Sequence, residues 1–418
     1  MAKLAAKGGM PIRSEAWPAW PVTDGREMEG LKEVLGGNWS YNGPKETELR
    51  RRYSEFCGAK HAIAVANGTV SLQLCLEALD IGYGDEVIVP GLTWQATAAC
   101  VIDVNAVPVL VDIEEDSWCI DPVKFESAIT PNTRAVIAVH LYGTVCNMDE
   151  IMRIARKHNI HVIEDAAHQH GSVYKGKKTG NLGDAASFSL QNSKVFTCGE
   201  GGLVTTNDDT IAERIDALRN CGRKPVNKEL YTDNSGNYVD IGLIQSGNYR
   251  ITEFQAAVLL AQMEKLPDQL ALRDKNAVYL NGLLKKQGLL APMRREPGTE
   301  LQCYFNIAFR YNPENFGGLD IAKFRAALSR ELNFPFMPCY QPLNQCELYK
   351  PLTKKRHRIS AEYLKKIDPS RSSLPVAENA YSHTSVCAHH KLLLGSSRDM
   401  DQIAEAVEKI QKHADELK

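Results

Sequence analysis

Short, continuous apolar runs separated by helical patterns fill the first half of this chain, and no other feature narrows its fold so far. The runs lie at 62–66, 86–90, 107–112, 135–141 and 161–165. Each is too short for a helix and too uniformly apolar for a half-exposed strand, which is the pattern of strands buried on both faces. Helical periodicity over 70–79, 95–104, 122–129 and 148–158 occupies most of the gaps. Crossovers of that length bring successive strands back parallel. Two further strands, 185–189 and 202–206, follow with little between them. The expectation is an α/β fold with a seven-stranded, mostly parallel sheet and helices on both faces.

Outside this block the pattern changes. Trp17-Pro18-Ala19-Trp20-Pro21 reads as an extended arm, a helix is expected over 24–35 up to Gly36-Gly37, and a turn-rich loop leads into a helix over 45–56. After the last strand come a helix over 209–220, a glycine- and asparagine-rich loop over 226–247, and a long helical stretch over 252–287 that Pro267 is expected to interrupt or kink. A strand over 304–310 and helices over 321–332 and 400–417 then describe a smaller C-terminal α+β domain. The expected division is an arm of residues 1–23, a large domain over 24–265 and a small one over 266–418.

Composition excludes several classes. A formal net charge of −2 argues against a polyanionic partner such as nucleic acid. No apolar run is long enough to span a bilayer, and the N-terminus has no apolar signal core, so a cytoplasmic protein is expected. Eleven cysteines without a C-x-x-C pair fit buried thiols better than a disulfide framework or a zinc site. His161, His168 and His170 lie close in sequence, but strand alternation does not converge them, and no metal is expected. Gly82-x-Gly84 lacks a third glycine and precedes a strand, which disfavours a nicotinamide enzyme.

In open α/β sheets ligands bind beyond the carboxyl ends of the strands. The first run ends in Asn67-Gly68-Thr69, where a glycine turn opens a helix and offers N–H groups to a phosphate; a plain helix cap reads the same way. After the second run, Trp94 can stack on a flat ring or fill the core. Glu164-Asp165 ends the fifth, a buried carboxylate that a protonated pyridine nitrogen would compensate, or an ordinary loop cap. The strand over 185–189 leads to Ser189 and then Lys194, followed by Gly199-Glu200-Gly201-Gly202. A lysine amine just past a buried strand suits a Schiff base with an aldehyde cofactor. Together these supply a phosphate cradle, a ring stacker, an anion for a ring nitrogen and an amine for an aldehyde: the needs of pyridoxal 5′-phosphate.

These stretches, with Ser187-Phe188-Ser189 and the run from Gly247-Asn248-Tyr249-Arg250 to Ala256-Ala257, resemble the DegT/DnrJ/EryC1 family of pyridoxal-phosphate aminotransferases, of fold type I. The resemblance extends from about residue 31 to the C-terminus. It implies that Lys194 carries the cofactor as a Schiff base, that Asp165 pairs with the pyridinium nitrogen and that His168 lies near the ring hydroxyl. It further implies Trp94 stacked on the ring, Gly68, Thr69 and Ser189 on the phosphate, and Asn248 reaching the phosphate of a neighbouring subunit, hence a homodimer with shared sites. The implied reaction is ping-pong transamination, with Lys194 also moving the donor's Cα proton.

Within the family, the stretches from Met337 to Asn344 and from Ala388 to Gly395 are similar to enzymes that use L-glutamine to aminate keto-cyclitols in aminoglycoside antibiotic biosynthesis. That likeness implies conversion of 2-deoxy-scyllo-inosose to 2-deoxy-scyllo-inosamine, and a second amination toward 2-deoxystreptamine. It also places Tyr340, His389 and His390 at the substrate, although His389-His390 reads equally well as a packed surface pair. The alternative is a nucleotide-sugar aminotransferase, for which Lys354-Lys355-Arg356-His357-Arg358 could offer cations to a diphosphate, although a solvated loop is the preferred reading of that run. Asn344 stands where nucleotide-sugar members usually carry histidine. A non-catalytic regulator on this fold is disfavoured because the first thirty residues are too short for a DNA-binding domain, and Lys194 disfavours a dehydratase.

Overall fold

The computed structural model describes residues 3–37, 39–224 and 242–418. Most of the expected loop over 226–247 therefore lies outside the described residues. Seven strands form the main sheet: β1 (His61–Val65), β2 (Glu86–Pro90), β3 (Val107–Val111), β4 (Thr133–Val139), β5 (His161–Asp165), β6 (Ala185–Ser189) and β7 (Gly202–Thr206), in the order β1-β7-β6-β5-β4-β2-β3. The pairs among β2, β3, β4, β5 and β6 are parallel, whereas β7 is antiparallel to both β1 and β6. The reason is the missing crossover helix. Only residues 190–201 separate β6 from β7, and a tight reversal returns the chain in the opposite direction.

Helices cover both faces: α1 (Arg26–Leu35), α2 (Pro44–Cys57), α3 (Gly68–Ala78), α4 (Ala96–Asp103), α5 (Pro122–Ser127), α6 (Met148–His158) and α7 (Asp209–Leu218). Strand alternation explains the continuous apolar runs. Ile63 and Val65 enter one core while Ala62 and Ala64 enter another. Likewise Val87 and Val89 face the first core, and Ile88 faces a third beneath α6. Successive side chains point to opposite faces, so a sheet covered on both sides needs apolar residues at every position.

The longest element, α8 (Glu253–Gln287), begins with a capping box between Thr252 and Gln255 and runs unbroken through Pro267. The expected interruption does not occur; packing along both halves holds the helix through a proline that removes one backbone donor. Leu259, Leu266 and Leu270 pack into the core of the large sheet, whereas Ala277, Leu280 and Leu284 pack into the core of the C-terminal region. The division expected at residue 265 thus falls inside one helix that serves both cores. The C-terminal region holds a three-stranded sheet of β8 (Leu290–Pro292), β9 (Asn306–Tyr311) and β10 (Ser385–His389), with α9 (Ile321–Leu332) and a last helix, Ser397–Lys412. Leu4 is fully buried in this same core, and Trp17 packs against it, so the N-terminal arm is seated on the C-terminal region.

Glu164 and Asp165 end β5 side by side but take opposite faces. Glu164 is fully buried and accepts the backbone N–H groups of Gly180 (2.9 Å), Leu182 (2.8 Å) and Gly183 (2.9 Å), with His140 Nε2 at 3.0 Å. It organises the turn that delivers the chain into β6. Truncation leaves those donors without their acceptor, and each such loss costs about 1–3 kcal/mol. Glu164→Ala should therefore lower unfolding stability in urea by roughly 3 kcal/mol or more; a midpoint within error of the parent would contradict this role.

Candidate active site

Hydrogen-bond register brings the strand ends together. Val139 pairs with Asp165, Asp165 with Ser187, Ser189 with Gly202 and Gly202 with Val65. The carboxyl ends of β1, β5 and β6 and the start of β7 therefore meet at one edge, where a cavity of about 700 Å³ opens. Gly68, Thr69, Trp94, Asp165, His168, Ser189, Lys194 and Tyr340 all line it.

Asn67 caps α3 by accepting the N–H of Val70 at 2.9 Å, so the helix begins at Gly68. The first N–H groups of a helix have no partner within it, and the dipole there favours an anion. A Cβ at residue 68 would stand 2.7 Å from Cβ of Ser189, so only glycine allows the end of β6 to approach the helix this closely. Gly202 is equally constrained, since a Cβ there would collide with the Asn67 carbonyl. Helix terminus, Thr69 and Ser189 form a small polar cradle that fits a phosphate.

Asp165 sits deep in the cavity. Its Oδ2 accepts from the Thr97 hydroxyl at 2.9 Å, Thr97 in turn lies 2.9 Å from the Thr93 hydroxyl, and Oδ1 accepts the N–H of Ala167 at 3.3 Å. Burial pushes the carboxyl above its ordinary range, while Thr97, Ala167 and the charge of Lys194 oppose the shift. A cation presented to that carboxylate would compensate its burial.

Lys194 follows a tight turn in which its N–H donates to the Gln191 carbonyl at 2.8 Å. Its side chain is buried, with Nζ 4.1 Å from the ring centroid of Phe305. Burial lowers its pKa to about 8, with Asp165 pulling the other way. The amine is thus a far better nucleophile near neutrality than a surface lysine. His168 stacks on Phe305 with ring centroids 4.0 Å apart, accepts the N–H of Tyr142 at its Nδ1 (3.1 Å) and has Nε2 3.5 Å from the Tyr340 hydroxyl. Burial, with the charge of Lys194, keeps this imidazole neutral.

Three expected residues stand apart. Asn248 is exposed and does not line the cavity; it accepts the N–H of Arg250 at 3.3 Å. His389 and His390 lie behind Phe305, off the cavity wall, and His390 is fully buried. Among the other histidines, His161 faces Asp184 and His170 bonds the Tyr53 hydroxyl at 2.8 Å, so they do not converge with His168. Thr93, Thr97 and Phe305 complete the site, and sequence reasoning missed them. Only the position of the two threonines just after β2 hinted at their place; nothing near Phe305 signalled that a C-terminal aromatic would floor the lysine.

The chemistry of this edge has close relatives. A profile of the DegT/DnrJ/EryC1/StrS aminotransferase family matches residues 21–407. The L-glutamine:2-deoxy-scyllo-inosose aminotransferase of Streptoalloteichus tenebrarius is 41% identical over 427 residues, covering 99% of each chain. The L-glutamine:scyllo-inosose aminotransferase of Streptomyces griseus is 38% identical over 414 residues, covering 97% of each. Among solved structures, 3-amino-5-hydroxybenzoic acid synthase superposes with a TM-score of 0.80 at 28% identity, over 96% of this chain and 100% of that one. With matches running nearly end to end, the chain belongs to the DegT/DnrJ/EryC1/StrS aminotransferase family and is a pyridoxal-phosphate-dependent aminotransferase of fold type I.

Proposed function

We propose that the protein transfers the amino group of L-glutamine to 2-deoxy-scyllo-inosose, giving 2-deoxy-scyllo-inosamine for an aminoglycoside antibiotic, and that the second amination toward 2-deoxystreptamine uses the same groups. The relatives named for these cyclitol reactions support the reading. The carrying observation is the cavity wall. Among the described residues lining it, Lys194 is the only lysine or arginine, accompanied by neutral donors and acceptors such as Asn67, Gln73 and Gln191. A neutral polyhydroxylated ring needs hydrogen-bond partners, whereas a nucleotide diphosphate calls for cations. The basic run that would suit a nucleotide sugar does not itself line the cavity; its charge is paired with Asp103, a lining residue, which Arg356 contacts and which Lys354 and His357 approach to 3.8 and 3.7 Å.

Pyridoxal phosphate, when bound, supplies an electron sink that stabilises negative charge at the donor's Cα. Gly68, Thr69 and Ser189 are suited to hold its phosphate, and Trp94 to cover its ring. Asp165, held in one orientation by Thr97 and Ala167, would pair with the ring nitrogen and favour its protonated form. His168, a neutral imidazole, would serve the ring hydroxyl. Lys194 anchors the cofactor covalently and, once released by the donor, uses its neutral amine to take the proton from the donor's Cα. Tyr340, beside His168 and Trp94 on the cavity wall, is available to the substrate.

Sharing of the site in a homodimer is part of the proposal. Exposed Tyr41 stands near the Asn248–Arg250 segment, with the Arg250 guanidinium 4.8 Å from its ring, and exposed Trp39 packs edge to face on Phe254. Exposed aromatic groups of this kind mark an interaction surface. The eleven free cysteines suit a cytoplasmic location, and no described helix is long and apolar enough to cross a membrane.

Cofactor-free protein should capture pyridoxal phosphate at a rate that rises with pH through about 8, where the buried Lys194 amine loses its proton. Lys194→Ala should abolish the capture and cut turnover by roughly 10²–10⁴-fold or more; a variant that keeps the lysine-linked visible absorbance removes Lys194 from this role. Asn248→Ala should weaken cofactor retention, and unchanged occupancy together with a monomer on sizing refutes the shared site. Offered glutamine with either ketone, the enzyme should aminate 2-deoxy-scyllo-inosose and leave a keto nucleotide sugar unchanged; the reverse preference makes it a nucleotide-sugar enzyme.

A further inference from the structure

The turn that carries Lys194 is gripped from outside the large sheet. The Asn192 carbonyl accepts the indole N–H of Trp20 at 3.0 Å, and the Ser193 carbonyl lies 3.1 Å from Nε2 of His390. Trp20 belongs to the N-terminal arm, and His390 directly follows β10. Their rings pack edge to face with centroids 4.6 Å apart. The two residues immediately preceding the lysine are thus tied by one ring each to two different parts of the chain.

The imidazole has one available tautomer. Nε of Arg273, on α8, donates to Nδ1 of His390 at 3.2 Å. Nδ1 must then be the acceptor, which leaves the hydrogen on Nε2, pointed at the Ser193 carbonyl. Burial, with the positive charge of Arg273 beside it, holds the ring neutral. The Arg273 guanidinium is fully buried and rests over the Trp20 ring with its carbon 5.0 Å from the centroid. The backbone of His390 makes a second link, its N–H donating to the Phe305 carbonyl at 3.3 Å. Phe305 is the ring against which Lys194 Nζ lies. One residue therefore braces both the lysine's backbone and the floor beneath its amine.

We propose that His390 and Trp20 are positioning residues for Lys194: their ring N–H groups fix the 192–193 carbonyls, and Arg273 fixes the His390 tautomer, so that the arm and the C-terminal region set where the amine meets the cofactor. This reassigns His390 from substrate contact to support of the lysine, and it rests on Lys194 being the anchor. Geometry at a reacting centre is steep in its effect, since misplacement by about 1 Å costs up to roughly 10²-fold. Trp20, Arg273 and His390 do not line the cavity, so the KM for glutamine is not the parameter at stake.

The test uses the full chain as His390→Leu, His390→Gln and Trp20→Phe, with Lys194→Ala alongside. His390→Leu and Trp20→Phe should slow pyridoxal phosphate capture by the cofactor-free protein and lower kcat, each by about tenfold, with the KM for glutamine changed less than about twofold. His390→Gln should recover most of both losses, because a glutamine amide carries an N–H where the imidazole had one. Trp20→Phe removes the donor while keeping a smaller aromatic ring at the site, so it reports on the brace even where His390→Leu fails to fold. Parent-like capture and kcat in Trp20→Phe, or equal loss in His390→Gln and His390→Leu, would overturn the positioning role. Capture surviving in Lys194→Ala would instead overturn the anchor itself.

Discussion

Register along the parallel ladder from β4 through β5 to β6 decides which of two neighbouring carboxylates enters the cavity. Glu164 and Asp165 are adjacent, and a strand's side chains alternate faces with a period of two. With Val139 opposite Asp165 and Asp165 opposite Ser187, Asp165 faces the cavity and Glu164 turns into the loop over 180–183. A slip of one residue would exchange them. Glu164 also guards against that slip, because its four partners surround one carboxylate position and no other. A single residue thus orders the approach to β6 and secures the register that places its neighbour.

The same edge depends on close backbone approach. Gly68 lets the end of β6 lie against the start of α3, and Gly202 lets β7 pass beneath Asn67. Antiparallel β7 is what brings the glycine-rich return back to the edge from which β6 left. Lys194 lies within that return, out of water, with a lowered pKa as the consequence of its burial. Burial of an amine is costly unless something uses it. Here the carboxylate, the aromatic floor and the amine converge on one cavity.

Much of this was legible beforehand. Strands β2, β5, β6 and β7 and helices α6 and α9 have the boundaries read from periodicity, because continuous apolar runs ended by polar turns leave little freedom. Gly68, Thr69, Ser189, Asp165 and Lys194 were legible as strand ends. Pro267 misled, since a proline's local cost is outweighed by burial along both halves of a 35-residue helix. His389 and His390 were placed at the substrate by the family likeness alone; in the fold neither lines the cavity, and His390 packs against Trp20 and accepts from Arg273. Thr97 carried no signal of its own: a threonine inside a helix is ordinary until a buried carboxylate is found 2.9 Å away.

What the amino-acid sequence determined by itself is local: which stretches are strands, which helices cross between them, and which chemically capable residues sit at strand ends. These follow from periodicity and turn chemistry, interactions that close within a few residues. Only the tertiary structure decided which of those residues share a cavity, which carboxylate faces it and which histidine bonds the backbone just before the lysine. Those outcomes rest on contacts between segments one to three hundred residues apart, such as Trp20 with Asn192 and His390 with Ser193. Such pairings depend on how separate elements pack, and no local pattern encodes them.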